Sequence, residues 1–313
     1  MGSEDKEQLK HVRPEYSVGV IYVAIGARFV PEATLSAKSV RHFLPDIPIL
    51  LFTDQTPEAR DGFDKVIQLS APHPKAQINK LIAMMQSPFE KTLLLDTDTY
   101  VCADIADLFA MLERFDIAMT QDRAYRDDFP ADSGVPDAFV EFNQGVIAFR
   151  QSDAVRETLK ESLVWTERLH ARSGSYTHDQ PPLRIALFHS EVRIVTLPIE
   201  YNCRFASYGY LNGVVRILHG RLPNRRMRIE DFDRVARILN RVTVPRVFLA
   251  GAVFAMTGVS LFGRPYWTRT LVGHLFRPYI VLLSYAFSSL RNGLRDEGIG
   301  HWLRRMAKRV LGV

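Results

Sequence analysis

Two carboxylates, Asp96 and Asp98, stand one residue apart directly after the apolar run Leu93-Leu94-Leu95. A strand that ends in two acids at this spacing holds them on one side of an extended chain. Carboxylates so close repel each other unless a cation or a proton lies between them. A hard divalent ion with oxygen ligands, Mn²⁺ or Mg²⁺, answers that need and also takes phosphate oxygens. The pair therefore suits chemistry in which a diphosphate leaves and its growing charge is neutralised. Out of context, the same two residues also suit a solvated turn with Asp98 as a cap. Two further polar groups close apolar stretches, Gln121-Asp122 and His219.

The elements that must position these groups are legible as alternating runs. SVGVIYVAI (17–25), IPILLFTD (47–54), DKVIQL (64–69), KTLLLDTDTYV (91–101), FDIAMTQD (115–122), NQGVIAFR (143–150), EVRIVTLP (191–198) and VVRILHG (214–220) read as strands. Between them, 31–44, 75–86, 104–115, 152–169 and 178–188 carry helical spacing, with Pro31 suited to a first helical position and Asp104 and Ser152 or Asp153 placed as caps. Strand and helix in alternation call for an α/β architecture, a mostly parallel central sheet with helices on both faces. Ligands of such sheets sit beyond the carboxyl ends of the strands, where the acidic pair, Asp122 and His219 all fall.

At 313 residues and 47% hydrophobic, the chain can bury one large core or one core plus an appendage. Two cysteines far apart, Cys102 and Cys203, give neither a disulfide framework nor a zinc-finger spacing, and fit a reducing cytoplasm. Residues 1–15 are polar, lack the apolar core of a secretory signal, and read as a loose arm. Net charge is +5, yet from Arg241 to Val313 eleven Lys or Arg face only two acids, so the rest of the chain is mildly acidic. A basic body of the kind that binds nucleic acid is excluded by that division.

LLLDTDTYV resembles the D-x-D segment of GT-A fold glycosyltransferases, most of all those of family 8, the glycogenin and lipopolysaccharide galactosyltransferase group. EFNQGVIAFR (141–150), HDQPPLRIAL (178–187), YNCRF (201–205) and ILHG (217–220) are similar to further segments of that family in the same order. The resemblance covers about residues 17–225 and implies a GT-A catalytic domain over 16–225; the basic and amphipathic runs that follow it read as a helical region over 226–313. It implies a UDP-sugar as the favoured nucleotide-diphosphate donor, a glycan or lipid-linked acceptor, and transfer with retention of configuration.

Roles carry over residue by residue. Asp96 and Asp98, with Thr97 between them, would hold Mn²⁺ or Mg²⁺ and the donor, and His219 would be the third protein ligand. Lys80 would meet the diphosphate or donor sugar, Asp122 the sugar hydroxyls, and Asn143 and Gln144 would line the sugar. Asp179 and Gln180 would stand near the anomeric carbon, Gln180 as a positioning group and Asp179 as the base that an inverting enzyme would need. The family's H-x-x-G-x-x-K-P-W ending is replaced by HGRLPNRR, where Gly220 follows His219 and Arg221, Arg225 or Arg226 stands in for the lysine. An acid is also missing after the first strand, at Ala24-Ile25-Gly26-Ala27.

Beyond the catalytic region, the uncharged stretch 247–263 is at the lower edge of a bilayer span. HWLRRMAKRVLGV (301–313) divides into an apolar and a basic side, the pattern of a helix lying on anionic lipid. The expectation is a cytoplasmic enzyme held peripherally on the inner face of the membrane. Two other classes share parts of this pattern. Haloacid-dehalogenase-like phosphohydrolases carry D-x-D-x-T, here interrupted by Tyr100. A non-catalytic membrane-associated protein that binds sugar nucleotides would keep the fold without turnover.

Overall fold

A computed structural model describes residues 15–55, 61–70, 72–74, 76–122, 130–173, 180–221, 227–241, 245–249 and 252–255. Seven strands form the central sheet: β1 (Tyr16–Ala24), β2 (Ile49–Thr53), β3 (Lys65–Gln68), β4 (Phe89–Leu95), β6 (Ile117–Gln121), β7 (Phe142–Arg150) and β8 (Ile194–Leu197). They lie in the order β3-β2-β1-β4-β7-β6-β8. Every neighbouring pair is parallel except the two that involve β7, which runs against β4 and β6. The mostly parallel sheet expected from the alternation is therefore present.

Both faces are covered, as the apolar strands require. On one face Leu93 and Leu95 pack with Val20, Tyr22 and Leu51 under helix α1 (Val30–Phe43) and the short helix α3 (Asp107–Met111). On the other, Leu94 joins Ile21, Phe52 and Ile147 under α2 (Ala76–Met85), α4 (Asp153–Ser173) and α5 (Gln180–Phe188). Residues 93–95 are at most 1% exposed. Burying each leucine stabilises by about 2 kcal/mol, which fixes the height at which β4 delivers the acids that follow it.

The chain departs from the expected elements where the site is made. The stretch 91–101 is not one strand: β4 stops at Leu95, a turn holds residues 96–98, and β5 (Thr99–Val101) leaves for a second sheet. There β5 pairs antiparallel with β10 (Ile217–His219), setting Thr99 opposite His219. The helix expected over 104–115 is reduced to 107–111. Asp104 bonds the amide of Ala106 at 2.9 Å instead of capping from the predicted start. Ser152 does cap α4, accepting from the Val155 amide at 3.2 Å.

A third core gathers Cys203, Phe205, Leu211, Leu218 and Phe248 beneath α6 (Ile229–Leu239). Over it lies a sheet of β9 (Tyr208–Leu211), β11 (Arg246–Leu249) and β12 (Ala252–Ala255). Fully buried Arg246 donates to the carbonyls of Leu239 and Gly213, the second at 2.7 Å, and ties this sheet to the end of α6. The uncharged stretch that begins at Val247 thus opens as an antiparallel hairpin. Among the described residues no helix is long and apolar enough to cross a membrane. The expected amphipathic segment 301–313 lies outside the described residues.

Candidate active site

The acids sit on a turn, not on an extended strand, because the turn's own hydrogen bonds outweigh strand continuation. Thr99 returns both its amide (3.1 Å) and its hydroxyl (2.8 Å) to the carbonyl of Asp96. Beneath it, a buried hydroxyl chain runs from Tyr22 through Ser36 to Thr99, each link 2.8 Å. Burial pushes the Tyr22 phenol well above its usual range, so it stays neutral within this chain. The Asp96 amide donates to the Gly145 carbonyl at 2.9 Å, locking the turn to β7.

The ribbon of β5 and β10 brings in His219, and the Gly220 amide extends its ladder to the Asp98 carbonyl at 3.0 Å. Gly220 has φ 118°, a conformation that L side chains rarely adopt, and this turns the chain after the histidine. Asp96, Asp98 and His219 each present a ligand atom within 4.8 Å of the others. His219 Nε2 lies 3.8 Å from Asp96 Oδ2 and 3.6 Å from Asp98 Oδ1.

The direction of that imidazole follows from a chain of amides. The Asp122 carboxylate can only accept, so the Asn143 amide nitrogen faces it at 3.0 Å. Asn143 Oδ1 then accepts from the Gly145 amide (3.0 Å) and from the Asn202 amide nitrogen (2.8 Å). Asn202 Oδ1 is left to accept from His219 Nδ1 at 2.8 Å. With its proton on Nδ1, the ring presents the Nε2 lone pair toward the two aspartates. An outer-shell acceptor on the far nitrogen is how a metal-binding histidine is held in one tautomer. Two carboxylates and one imidazole make a donor set that fits Mn²⁺, and Mg²⁺ less well because of the nitrogen.

Cations flank the cluster. Lys80, from α2, meets Asp96 Oδ1 at 2.7 Å and the Gln144 carbonyl at 3.3 Å. Arg221 meets Asp98 Oδ2 at 2.9 Å. Its other nitrogens grip Glu32, at the start of α1, through Nε at 2.9 Å and an end nitrogen at 2.6 Å. That paired bond, reinforced by the charges of Asp98 and Asp96, raises the Arg221 pKa further. Thr97, 8% exposed, donates to Glu32 at 3.3 Å, so the residue between the acids faces this clamp.

Behind the cluster, the Asp122 side chain is wholly buried and accepts from Arg204 at 3.0 and 3.1 Å. Gln180, at the start of α5, also donates to it. The strand that supplies Asn143 and Gln144 breaks register here. Met119 pairs with Ile147 while Thr120 pairs with Asn143, so residues 144–146 bulge. Bulges of this kind re-aim side chains beside sites. Asp179, Arg225 and Arg226 lie outside the described residues.

Sequence reasoning assigned no role to Gly145, Asn202, Arg204 or Glu32. A β-carbon on Gly145 would lie 2.2 Å from His219 Cε1, so only glycine admits the ring. The signal for Gly145 and Asn202 was present in FNQGV and YNCRF; Glu32 carried none, since nothing in its neighbourhood foretells an arginine 189 residues away.

No protein-family model matches this chain, and no curated protein sequence matches it. Among solved structures it is similar to the galactosyltransferase LgtC in complex with donor and acceptor sugar analogues, at 14% identity and TM-score 0.49 over 71% of this chain and 94% of that one. It is also similar to the glycosyltransferase GlyE of Streptococcus pneumoniae, at 21% identity and TM-score 0.45 over 61% of this chain and 48% of GlyE. Mouse xyloside xylosyltransferase 1 matches at 16% identity and TM-score 0.46, over 67% of this chain and the whole of that one.

Proposed function

We propose that this chain is a metal-dependent glycosyltransferase that moves a sugar from a nucleotide-diphosphate donor, UDP-sugar foremost, to a glycan or lipid-linked acceptor. The observation that carries the reading is the convergence of Asp96, Asp98 and His219 within 4.8 Å, the imidazole pre-set in the ligating tautomer by Asn202. Such a divalent ion, when bound, supplies positive charge to the oxygens of a departing diphosphate. Lys80 and Arg221, each touching one of the aspartates, would reach the same oxygens, and Arg221 offers paired donors for them. They stabilise charge that develops during bond breaking, and their pairing with the acids and Glu32 positions them beforehand.

On the sugar side, Asn143 and Gln144 at the bulge line the donor, while Asp122 and Gln180 set its orientation through their mutual bond. Asp122 is fully engaged by Arg204, Asn143 and Gln180, which suits a rigid recognition element better than an attacking group. Retention of configuration then rests on holding donor and acceptor on one face, with water kept out. Asp179 is the base to test should inversion be found. Attachment to a membrane surface through the basic C-terminal residues belongs to the same reading.

Binding to the native state alone raises thermal stability by mass action. UDP-sugars with Mn²⁺ should raise the midpoint of unfolding, and Asp96→Asn and Asp98→Asn should abolish the rise. An equal rise in both variants would remove the metal roles, and no rise with any nucleotide sugar would remove the reading.

A further inference from the structure

Each aspartate of the cluster divides its oxygens. Asp96 gives Oδ1 to Lys80 at 2.7 Å and turns Oδ2 toward His219, 3.8 Å from Nε2. Asp98 gives Oδ2 to Arg221 at 2.9 Å and turns Oδ1 toward the same nitrogen, at 3.6 Å. One oxygen of each carboxylate thus faces the imidazole, while the other carries a protein cation.

Neither cation is a loose surface charge. The Lys80 side chain is 13% exposed and also donates to the Gln144 carbonyl at 3.3 Å. Arg221 spans Asp98 and Glu32, and its guanidinium lies over the Phe29 ring, 5.7 Å from the centroid. That distance is within the reach of a cation–π attraction. Three carboxylates, Asp96, Asp98 and Glu32, therefore face two fixed cations, which with a neutral His219 leaves a formal charge of −1. Stripped of Lys80 and Arg221, the same group would stand at −3. Partly buried charges are screened by salt far less than exposed ones, so an entering ion feels this difference.

A bare divalent ion gains little from such a cluster, because two positive charges already sit on its carboxylates. A diphosphate reverses the balance. It brings negative charge of its own and gives Lys80 and Arg221 further oxygens to hold. We infer that the site takes the divalent ion as its diphosphate complex and discriminates against the bare ion, with Lys80 and Arg221 setting that preference. The inference rests on the transferase reading, which supplies both the metal and the diphosphate. It gives the two side chains opposite effects on the two ligands: they hold the affinity for the ion down and the affinity for the diphosphate up.

Two titrations on the full chain test this. Electron paramagnetic resonance measures Mn²⁺ binding with no nucleotide, and equilibrium dialysis measures labelled UDP at saturating Mn²⁺. Lys80→Met and Arg221→Met should each bind Mn²⁺ alone about 5- to 10-fold more tightly than wild type, and UDP about 10-fold more weakly. Arg221→Lys keeps the charge and should bind Mn²⁺ alone within about twofold of wild type. A merely structural lesion would weaken both ligands together, so the opposed signs are the signature. Unchanged or weaker binding of Mn²⁺ alone in either methionine variant, or undiminished UDP binding in either, would overturn the inference and leave the transferase reading in place. If wild type binds neither Mn²⁺ nor UDP with Mn²⁺, the transferase reading fails and takes this inference with it.

Discussion

Replacing Gly145 by alanine puts the metal reading under direct strain. The added carbon would stand 2.2 Å from His219 Cε1, 2.5 Å from Nδ1 and 2.8 Å from Nε2, all inside the 3.0 Å below which something must shift. Ordinary contact begins near 3.4 Å, so the ring must withdraw by about 1 Å or the bulge of β7 must open. The His219 side chain is 11% exposed and its ring is tied to Asn202, and withdrawal breaks that bond as well as the aim of Nε2. Metal–nitrogen bonds near 2 Å tolerate no such shift. Losing the orientation of one ligand typically lowers affinity about 10- to 100-fold, or roughly 1.4–2.8 kcal/mol. Electron paramagnetic resonance of free Mn²⁺ reads this in wild type, Gly145→Ala, His219→Ala and the double variant, with circular dichroism confirming the fold. If alanine acts through the imidazole, the double variant binds no worse than His219→Ala alone, since both changes remove one interaction. Wild-type affinity in Gly145→Ala, or losses that add in full, would refute the reasoning.

Asn202→Leu should lower Mn²⁺ affinity about tenfold by the same probe, because the Nδ1 proton loses its acceptor and the tautomer is no longer imposed. Glu32→Gln should raise the KM for the donor roughly fivefold with a smaller change in kcat, since Arg221 then keeps its charge but loses the paired carboxylate that aims it. Asp116→Ala should cost about 2 kcal/mol at pH 7 in urea unfolding, because the carboxylate accepts from the amide, Nε and an end nitrogen of Arg193 at 2.9–3.0 Å. The Arg193 side-chain bond holds the Asp116 pKa below its ordinary value. The contribution is therefore complete above the unfolded pKa near 4 and disappears as pH falls through the lower folded value, so wild type and variant should converge in acid.

How far the sequence discloses such a site depends on the range of the forces that build it. The central sheet was legible because Leu93, Leu94 and Leu95 report burial on both faces in three adjacent letters. Parallel pairing then follows from strand and helix in alternation. The turn at 96–98 was misread as strand, since β-propensity continues through Thr99-Tyr100-Val101 and only the Thr99–Asp96 bonds break the run. The sheet of β9, β11 and β12 was hidden for another reason. Its apolar letters after Val247 are compatible with a buried hairpin or a membrane segment, and the pairing of Val247 with Tyr210 across 37 residues decides between them. His219 marks the boundary between the two cases. Nothing in its neighbours distinguishes a ligand from a packed histidine. Its role becomes readable only when Asp122, Asn143 and Asn202 are seen to pass their hydrogen-bond polarity along to its ring. A network with one consistent direction, acceptor to donor through three side chains, is information that only the folded chain carries. The same network couples the buried carboxylate on the sugar side to the ligating nitrogen. Asp122→Asn should therefore disturb Mn²⁺ binding although it touches neither aspartate of the cluster. An added amide there competes with the Asn143 nitrogen; where Asn143 turns, giving up its bond from the Gly145 amide, Asn202 turns with it. Asn202 would then offer His219 a donor in place of an acceptor, and the ring could meet it only with the proton on Nε2, the atom that must stay bare.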